Sequence, residues 1–290
     1  MSKDKNVDPI AGVETTGHEW DGIRELDNPL PRWWLWVFYA TIVFSIGYVV
    51  LYPSIPLGKT YFKGLLGYSQ RVDIAKEMEV ANEARGAMYQ RILNEDLQSI
   101  RHNDELLNFS LAGGRVAFLD NCAACHGTGA TGGPGYPNLA DDDWLWGGSL
   151  DAIHTTISHG IRWEKDEDTR FSEMPNFGSD GMLDSDQISA VAEYVLSLSG
   201  IDHDSKLAEQ GAVVFEEQCV ACHGEGGVGG REFGAPSLND QVWLYGGNKQ
   251  EIMKQLTKAR HGQMPAWSGR LDEATIKMLT VYVHSLGGGE

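Results

Sequence analysis

Residues 114–127 read GRVAFLDNCAACHG and residues 211–224 read GAVVFEEQCVACHG. In both stretches a glycine, a phenylalanine and the first cysteine recur four residues apart, the spacing of one helix face. Each stretch then closes on C-x-x-C-H-G: Cys122, Cys125 and His126 in the first, Cys219, Cys222 and His223 in the second. These are the only four cysteines in the chain. The pentapeptide C-x-x-C-H is the attachment pattern of c-type haem. Two thiols one helical turn apart reach the two vinyl groups of a porphyrin, and the histidine is held below the ring, where it ligates iron. Two copies point to two covalently bound haems c and to electron transfer. A zinc cluster or a redox dithiol also uses C-x-x-C. Either chemistry leaves the His-Gly that follows in both copies without a purpose.

The agreement extends beyond the motif. Pro137-Asn138-Leu139 matches Pro236-Ser237-Leu238, and Trp144-Leu145-Trp146-Gly147-Gly148 matches Trp243-Leu244-Tyr245-Gly246-Gly247. His159-Gly160 matches His261-Gly262, and Met174-Pro175 matches Met264-Pro265. An amphipathic segment closes each unit, with Ile188, Val191, Ala192, Val195 and Leu196 in the first and Ile276, Leu279, Val283 and Leu286 in the second. Tyr194 and Tyr282 are equivalent, and Asp184 or Ser185 is placed to cap the first of these helices. Such agreement over about 80 residues marks a duplicated helical domain. A glycine lets two helices approach closely, so the first and last helices of each unit are expected to cross at Gly114 and at Gly211.

Each haem needs a second axial ligand. Met174 and Met264 are the candidates, because each precedes a proline, which fixes the backbone and helps an extended loop present the sulfur. Thioether ligation favours reduced iron. His159 and His261 are the rival ligands, with hydrogen bonding to a propionate or the backbone as their other role. The first unit carries extra residues, 161–173, before its methionine, and its charged run 165–170 reads as a solvated loop. The two His–Met spacings therefore differ. Each methionine could serve its own unit, or Met174 could serve the haem at His223 and Met264 the haem at His126.

The chain has 290 residues and a formal charge of −18, which disfavours nucleic acid as a partner and suits a basic protein. Residues 33–52, WWLWVFYATIVFSIGYVVLY, carry no charge. As a helix they span about 30 Å, a bilayer core. Trp33, Trp34 and Trp36 lie at one end and Tyr48 and Tyr52 at the other, as an aromatic belt does. Pro53 and Pro56 then stop the helix. A run this long, starting 32 residues into the chain, reads as a retained anchor rather than a cleaved signal.

Asn28-Pro29-Leu30-Pro31-Arg32-Trp33-Trp34-Leu35-Trp36, the single anchor and the tandem W-L-x-G-G units together resemble the membrane-anchored dihaem subunit, FixP/CcoP, of cbb3-type cytochrome c oxidase. The resemblance implies a mainly α chain: a cytoplasmic segment 1–32, an anchor 33–52, a periplasmic linker 53–108, and class I cytochrome c-like domains at 109–200 and 205–290. It implies a bacterial inner membrane, with the haem domains periplasmic, where c-type haem is attached. It also implies partners: a haem b–copper catalytic subunit, a monohaem cytochrome c subunit, and a soluble or anchored donor cytochrome c. No catalytic site of its own is expected. An anchored dihaem shuttle for another reductase or dehydrogenase, and a dihaem peroxidase with one five-coordinate iron, are the competing readings.

A denatured pyridine haemochrome assay is expected to give two covalent haems per chain, and one after Cys219→Ser with Cys222→Ser. Retention of two, or stoichiometric zinc, contradicts the assignment.

Overall fold

The computed structural model describes residues 7–287 and 289; residues 1–6 of the N-terminal segment, and 288 and 290 at the end of the second repeat, lie outside them. The chain divides into two compact units that meet between Asn82 and Glu83.

The N-terminal unit opens with an antiparallel hairpin of β1 (Thr15–Trp20) and β2 (Ile23–Leu26). Its Asp21-Gly22 turn has positive φ at both residues, as a two-residue hairpin with right-handed twist requires. Helix α1 (Arg32–Leu51) follows, and no residue on it is buried. A core helix of a water-soluble domain buries one face; α1 is apolar all round, with a mean hydropathy of 1.9, and buries none. Its length matches a bilayer, so lipid is the missing solvent. Tyr52 is extended, as the residue before Pro53 must be, and ends the helix. A short pairing of β3 (Pro56–Leu57) with β4 (Thr60–Tyr61) leads to α2 (Gln70–Asn94), which runs across the unit boundary.

From Glu83 onward the unit is helical: α3 (Leu97–His102), α4 (Asp104–Asn121), α5 (Ala123–His126), α6 (Leu150–His159), α7 (Ser185–Leu198), α8 (Ser205–Gln218), α9 (Val220–His223), α10 (Lys249–Thr257) and α11 (Glu273–His284). Most begin at a side chain that accepts from the first-turn N–H groups: Asp96, Asn103, Ser149, Asp204, Asn248 and Asp272. Asp184 caps α7 within a complete capping box closed by Gln187, as its place in the sequence suggests.

The glycine crossings exist, but they pair the repeats with each other. A Cβ on Gly114 of α4 would collide with the Met278 carbonyl and lie 2.6 Å from Tyr282 Cβ, both on α11. A Cβ on Gly211 of α8 would collide with the Ala190 carbonyl and lie 2.8 Å from Val191 N, on α7. The aromatics exchange in the same way. Phe118 packs on Tyr282 with ring centroids 5.6 Å apart, and Tyr194 packs on Phe215 at 5.1 Å. The expectation that each repeat closes on itself is therefore corrected. The physical reason is the short connection: only residues 199–204 join α7 to α8, and helices so joined become antiparallel neighbours. Helix α11 is then left to cover α4.

Residues 83–108, uninformative as sequence, belong to this unit. Ile92, Ile100 and Leu106 are fully or almost fully buried with Leu150 of α6 and with Ala274, Met278 and Val281 of α11. Burying each such side chain is worth about 1.5–3 kcal/mol. Lys277 Nζ donates to the carbonyls of Leu93 (2.9 Å) and Glu95 (2.7 Å), closing the C-terminal end of α2. Tyr89 Oη donates to Asp272 Oδ1 at 2.6 Å, while Thr275 Oγ1 lies 2.6 Å away.

Partial burial works against the Asp272 carboxylate, yet donors from Tyr89 and Thr275 outweigh it and hold its pKa below the ordinary value. A depressed carboxylate contributes stability above its unfolded pKa and loses it as pH falls through the folded value. Tyr89→Phe is expected to lower unfolding free energy by about 1 kcal/mol at neutral pH. In denaturant titrations of the detergent-solubilised chain, that deficit should shrink below about pH 4. A deficit unchanged by acid contradicts the linkage.

Candidate haem sites

Both attachment motifs are built alike. Helix α4 ends as Cys122 N–H donates to the Phe118 carbonyl (2.8 Å), and α8 ends as Cys219 N–H donates to Phe215 (2.8 Å). One further turn, α5 or α9, carries the second cysteine and the histidine. It stops at Gly127 (φ 79°, ψ 156°) and Gly224 (φ 73°, ψ 163°), a conformation open only to glycine. This explains the glycine after each motif.

The histidines are held in one tautomer. His126 Nδ1 lies 3.1 Å from the Pro137 carbonyl and His223 Nδ1 lies 3.0 Å from that of Pro236. A carbonyl only accepts, so Nδ1 carries the proton and Nε2 keeps its lone pair for a metal. Burial pushes both imidazole pKa values down, and the proline carbonyls only partly oppose it. Both rings are therefore neutral at neutral pH. Burial also pushes the Cys122 and Cys219 thiols up to about 11, with a further rise from Cys125 and Cys222 respectively. Among the described residues the four cysteines and their histidines do not converge as a ligand cluster; the one such group is His159, Asp166 and Asp168.

Each motif borders its own apolar cluster, and each cluster takes in the methionine of the other repeat. Cys122 and Ala123 pack with Phe118, Leu139, Trp144, Tyr282 and Met264. Cys219 and Val220 pack with Phe215, Tyr194, Leu238, Trp243 and Met174. So Met264 of the second repeat packs on the cluster that borders the first motif, and Met174 of the first repeat packs on the cluster that borders the second. The two methionine segments cross each other on the way. Ile161 and Met264 exchange backbone hydrogen bonds at 2.9 and 3.0 Å. A Cβ on Gly160 would strike the Met264 carbonyl. Arg162 donates to the carbonyls of Gly262 (2.7 Å) and Ser172 (2.8 Å), tying both loops together.

The rival histidines have other partners. His261 Nε2 accepts from the Met174 N–H at 3.1 Å, and His159 Nδ1 lies 3.1 Å from Asp166 Oδ1. The charged run 165–170 is not simply a solvated loop. Arg170 donates to the Ala152 carbonyl at 3.2 Å and lies over the Trp146 ring, 5.5 Å from its centroid. Met278 is buried and Met253 is packed, as their helical positions suggest.

Two thiols, a neutral imidazole with a free Nε2, a thioether and aromatic walls form a donor set that fits a covalent haem at each motif. Sequence reasoning missed the two prolines that hold the histidines, although their match across the repeats was visible. It also missed Arg162, which has no counterpart.

Comparison with known proteins agrees. Residues 12–59 match the family described as the N-terminal domain of cytochrome oxidase-cbb3, FixP. Residues 111–199 match cytochrome c, and residues 206–283 match cytochrome c oxidase, cbb3-type, subunit III. The chain is 54% identical over 276 residues to the cbb3-type cytochrome c oxidase subunit CcoP of Cereibacter sphaeroides, covering 95% of both chains. It is 50% identical over 286 residues to subunit FixPc of Rhizobium leguminosarum bv. viciae, covering 99% of both. It is 53% identical over 293 residues to subunit CcoP of Azospirillum brasilense, again covering 99% of both.

Proposed function

The chain belongs to the FixP/CcoP family of cbb3-type cytochrome c oxidase subunits, membrane-anchored electron-transfer subunits with covalent haem c, and we propose that its two haems are completed by exchanged methionines. Met264 ligates the iron at His126, and Met174 ligates the iron at His223. The observation that carries this is the packing of each methionine in the cluster of the other repeat's cysteine.

When bound, each haem supplies a one-electron couple. The chain's own residues set its conditions. Pro137 and Pro236 orient the proximal rings and raise their basicity. His261 fixes the backbone of Met174, and Ile161 fixes that of Met264. The apolar walls keep water from the iron. With a histidine and a methionine at each iron, no position remains for a substrate, so the chain carries electrons and leaves oxygen chemistry to another subunit. Electrons arrive from a periplasmic cytochrome c and leave for a monohaem partner subunit and the haem–copper site beyond it. The N-terminus is cytoplasmic, and α1 crosses the inner membrane.

Imidazole stabilises ferric iron relative to thioether. Met264→His is therefore expected to lower the midpoint potential of the haem at His126 and leave the other nearly unchanged, with Met174→His giving the mirror result. Single-haem variants identify which potential moves. A response from the haem in the methionine's own repeat contradicts the exchange.

Residues 58–290 hold 19 Lys and Arg against 34 Asp and Glu, so a basic donor should be steered toward them. Stopped-flow reduction by a basic cytochrome c is expected to slow as ionic strength rises. A rate that is flat or rises with salt rejects the steering.

A further inference from the structure

The third residue of each W-L-x-G-G unit lies against the glycine loop of the other repeat. A Cβ on Gly234 (φ +60°) would lie inside the Trp146 indole, 2.6 Å from Nε1. In the mirror position, a Cβ on Gly135 would lie 3.4 Å from Tyr245 Cε1, and Gly135 N–H donates to the Leu244 carbonyl at 2.8 Å. Each aromatic carries an arginine: Arg170 over Trp146 at 5.5 Å and Arg260 over Tyr245 at 4.7 Å. Trp146 is 8% exposed. A cleft of about 850 Å³ is lined by equivalent segments of the two repeats, including Leu145, Ala235 and Leu244, the chain neighbours of these contacts. Pro137 and Pro236, whose carbonyls hold His126 and His223, both line it. The two aromatic–glycine contacts thus join the two loops that orient the histidines.

We propose that Trp146 and Tyr245 are positioning residues for electron transfer between the two haems. By reaching reciprocally against Gly234 and Gly135, they hold together the two loops whose proline carbonyls orient the histidines. The step itself moves one electron from the ferrous iron of one haem to the ferric iron of the other; no bond or proton changes place. The geometry assigns the aromatics no ligand role, so their loss should leave each iron's own coordination intact while loosening the separation of the pair. Electron tunnelling falls off exponentially with the separation of the two centres, so loosening the pair slows the transfer. The proposal rests on the dihaem reading above.

The test uses the full chain in detergent. Flash photoreduction of one haem gives the rate of equilibration with the other, and pulsed electron paramagnetic resonance gives the distribution of iron–iron distances. In Trp146→Ala with Tyr245→Ala, the rate is expected to fall severalfold, with a broader distance distribution and with both methionine–iron charge-transfer bands retained. Trp146→Phe with Tyr245→Phe should recover most of the rate. A double alanine variant that keeps its bands and equilibrates at the original rate with an unchanged distance distribution overturns the proposal. If the alanine variant loses its bands, Tyr245→Leu with Trp146 intact decides in the same way: a narrow, unshifted distance distribution overturns the proposal and a broadened one supports it. Fewer than two covalent haems in the unaltered chain, by pyridine haemochrome, removes the dihaem premise and the proposal with it, and is read separately from the variants.

Discussion

The close approach of α7 to α8 through Gly211, and of α11 to α4 through Gly114, is the constraint on which the haem-bearing unit depends. At both crossings the glycine faces a backbone carbonyl of the other helix, and any side chain there would push the pair apart. Once α7 lies on α8, the loop before it packs Met174 on the cluster beside the second motif, and α11 covers α4, with Met264 on the cluster beside the first. The crossing of Ile161 with Met264 is the knot between the two return paths. The two cytochrome c segments share their helix pairs, and each attachment motif is bordered by side chains of both repeats.

The exchange also connects the haem-bearing unit to the chain that leads toward the anchor. Helix α11 is the far end of the sequence, yet its Lys277, Thr275 and Asp272 hold the end of α2. The cluster beside the first motif draws on α4, α6 and α11, and α2 and α3 pack with the same three helices in a second cluster. This packing, rather than the local helix propensity of a charged segment, orders residues 83–108.

Much of this was legible in the sequence, for physical reasons. The C-x-x-C-H-G motifs, the anchor, the caps and the glycine–phenylalanine spacing are local patterns, and local patterns survive in a bare sequence. The partner of each pattern is a different matter. Gly114 and Gly211 sit in matching frames, as do Tyr194 and Tyr282, so either closing helix satisfies either opening helix. Only the short 199–204 connection separates the alternatives. Residues 83–108 were opaque because α2 is charged for most of its length, with apolar contacts confined to its last turns at Met88, Tyr89 and Ile92. Arg170 sits in a charged run, and only the fold reveals that it stacks on Trp146.

The central claim is that the closing helices are exchanged, and a double-mutant cycle on the aromatic pairs reads it directly. Phe118, Tyr194, Phe215 and Tyr282 are each replaced by leucine, singly and in pairs, and unfolding free energies are measured on the haem-loaded chain. Exchange predicts coupling of about 0.5–1.5 kcal/mol between Phe118 and Tyr282 and between Phe215 and Tyr194. It predicts additivity for Phe118 with Tyr194 and for Phe215 with Tyr282. Coupling in the second set and additivity in the first would contradict the account.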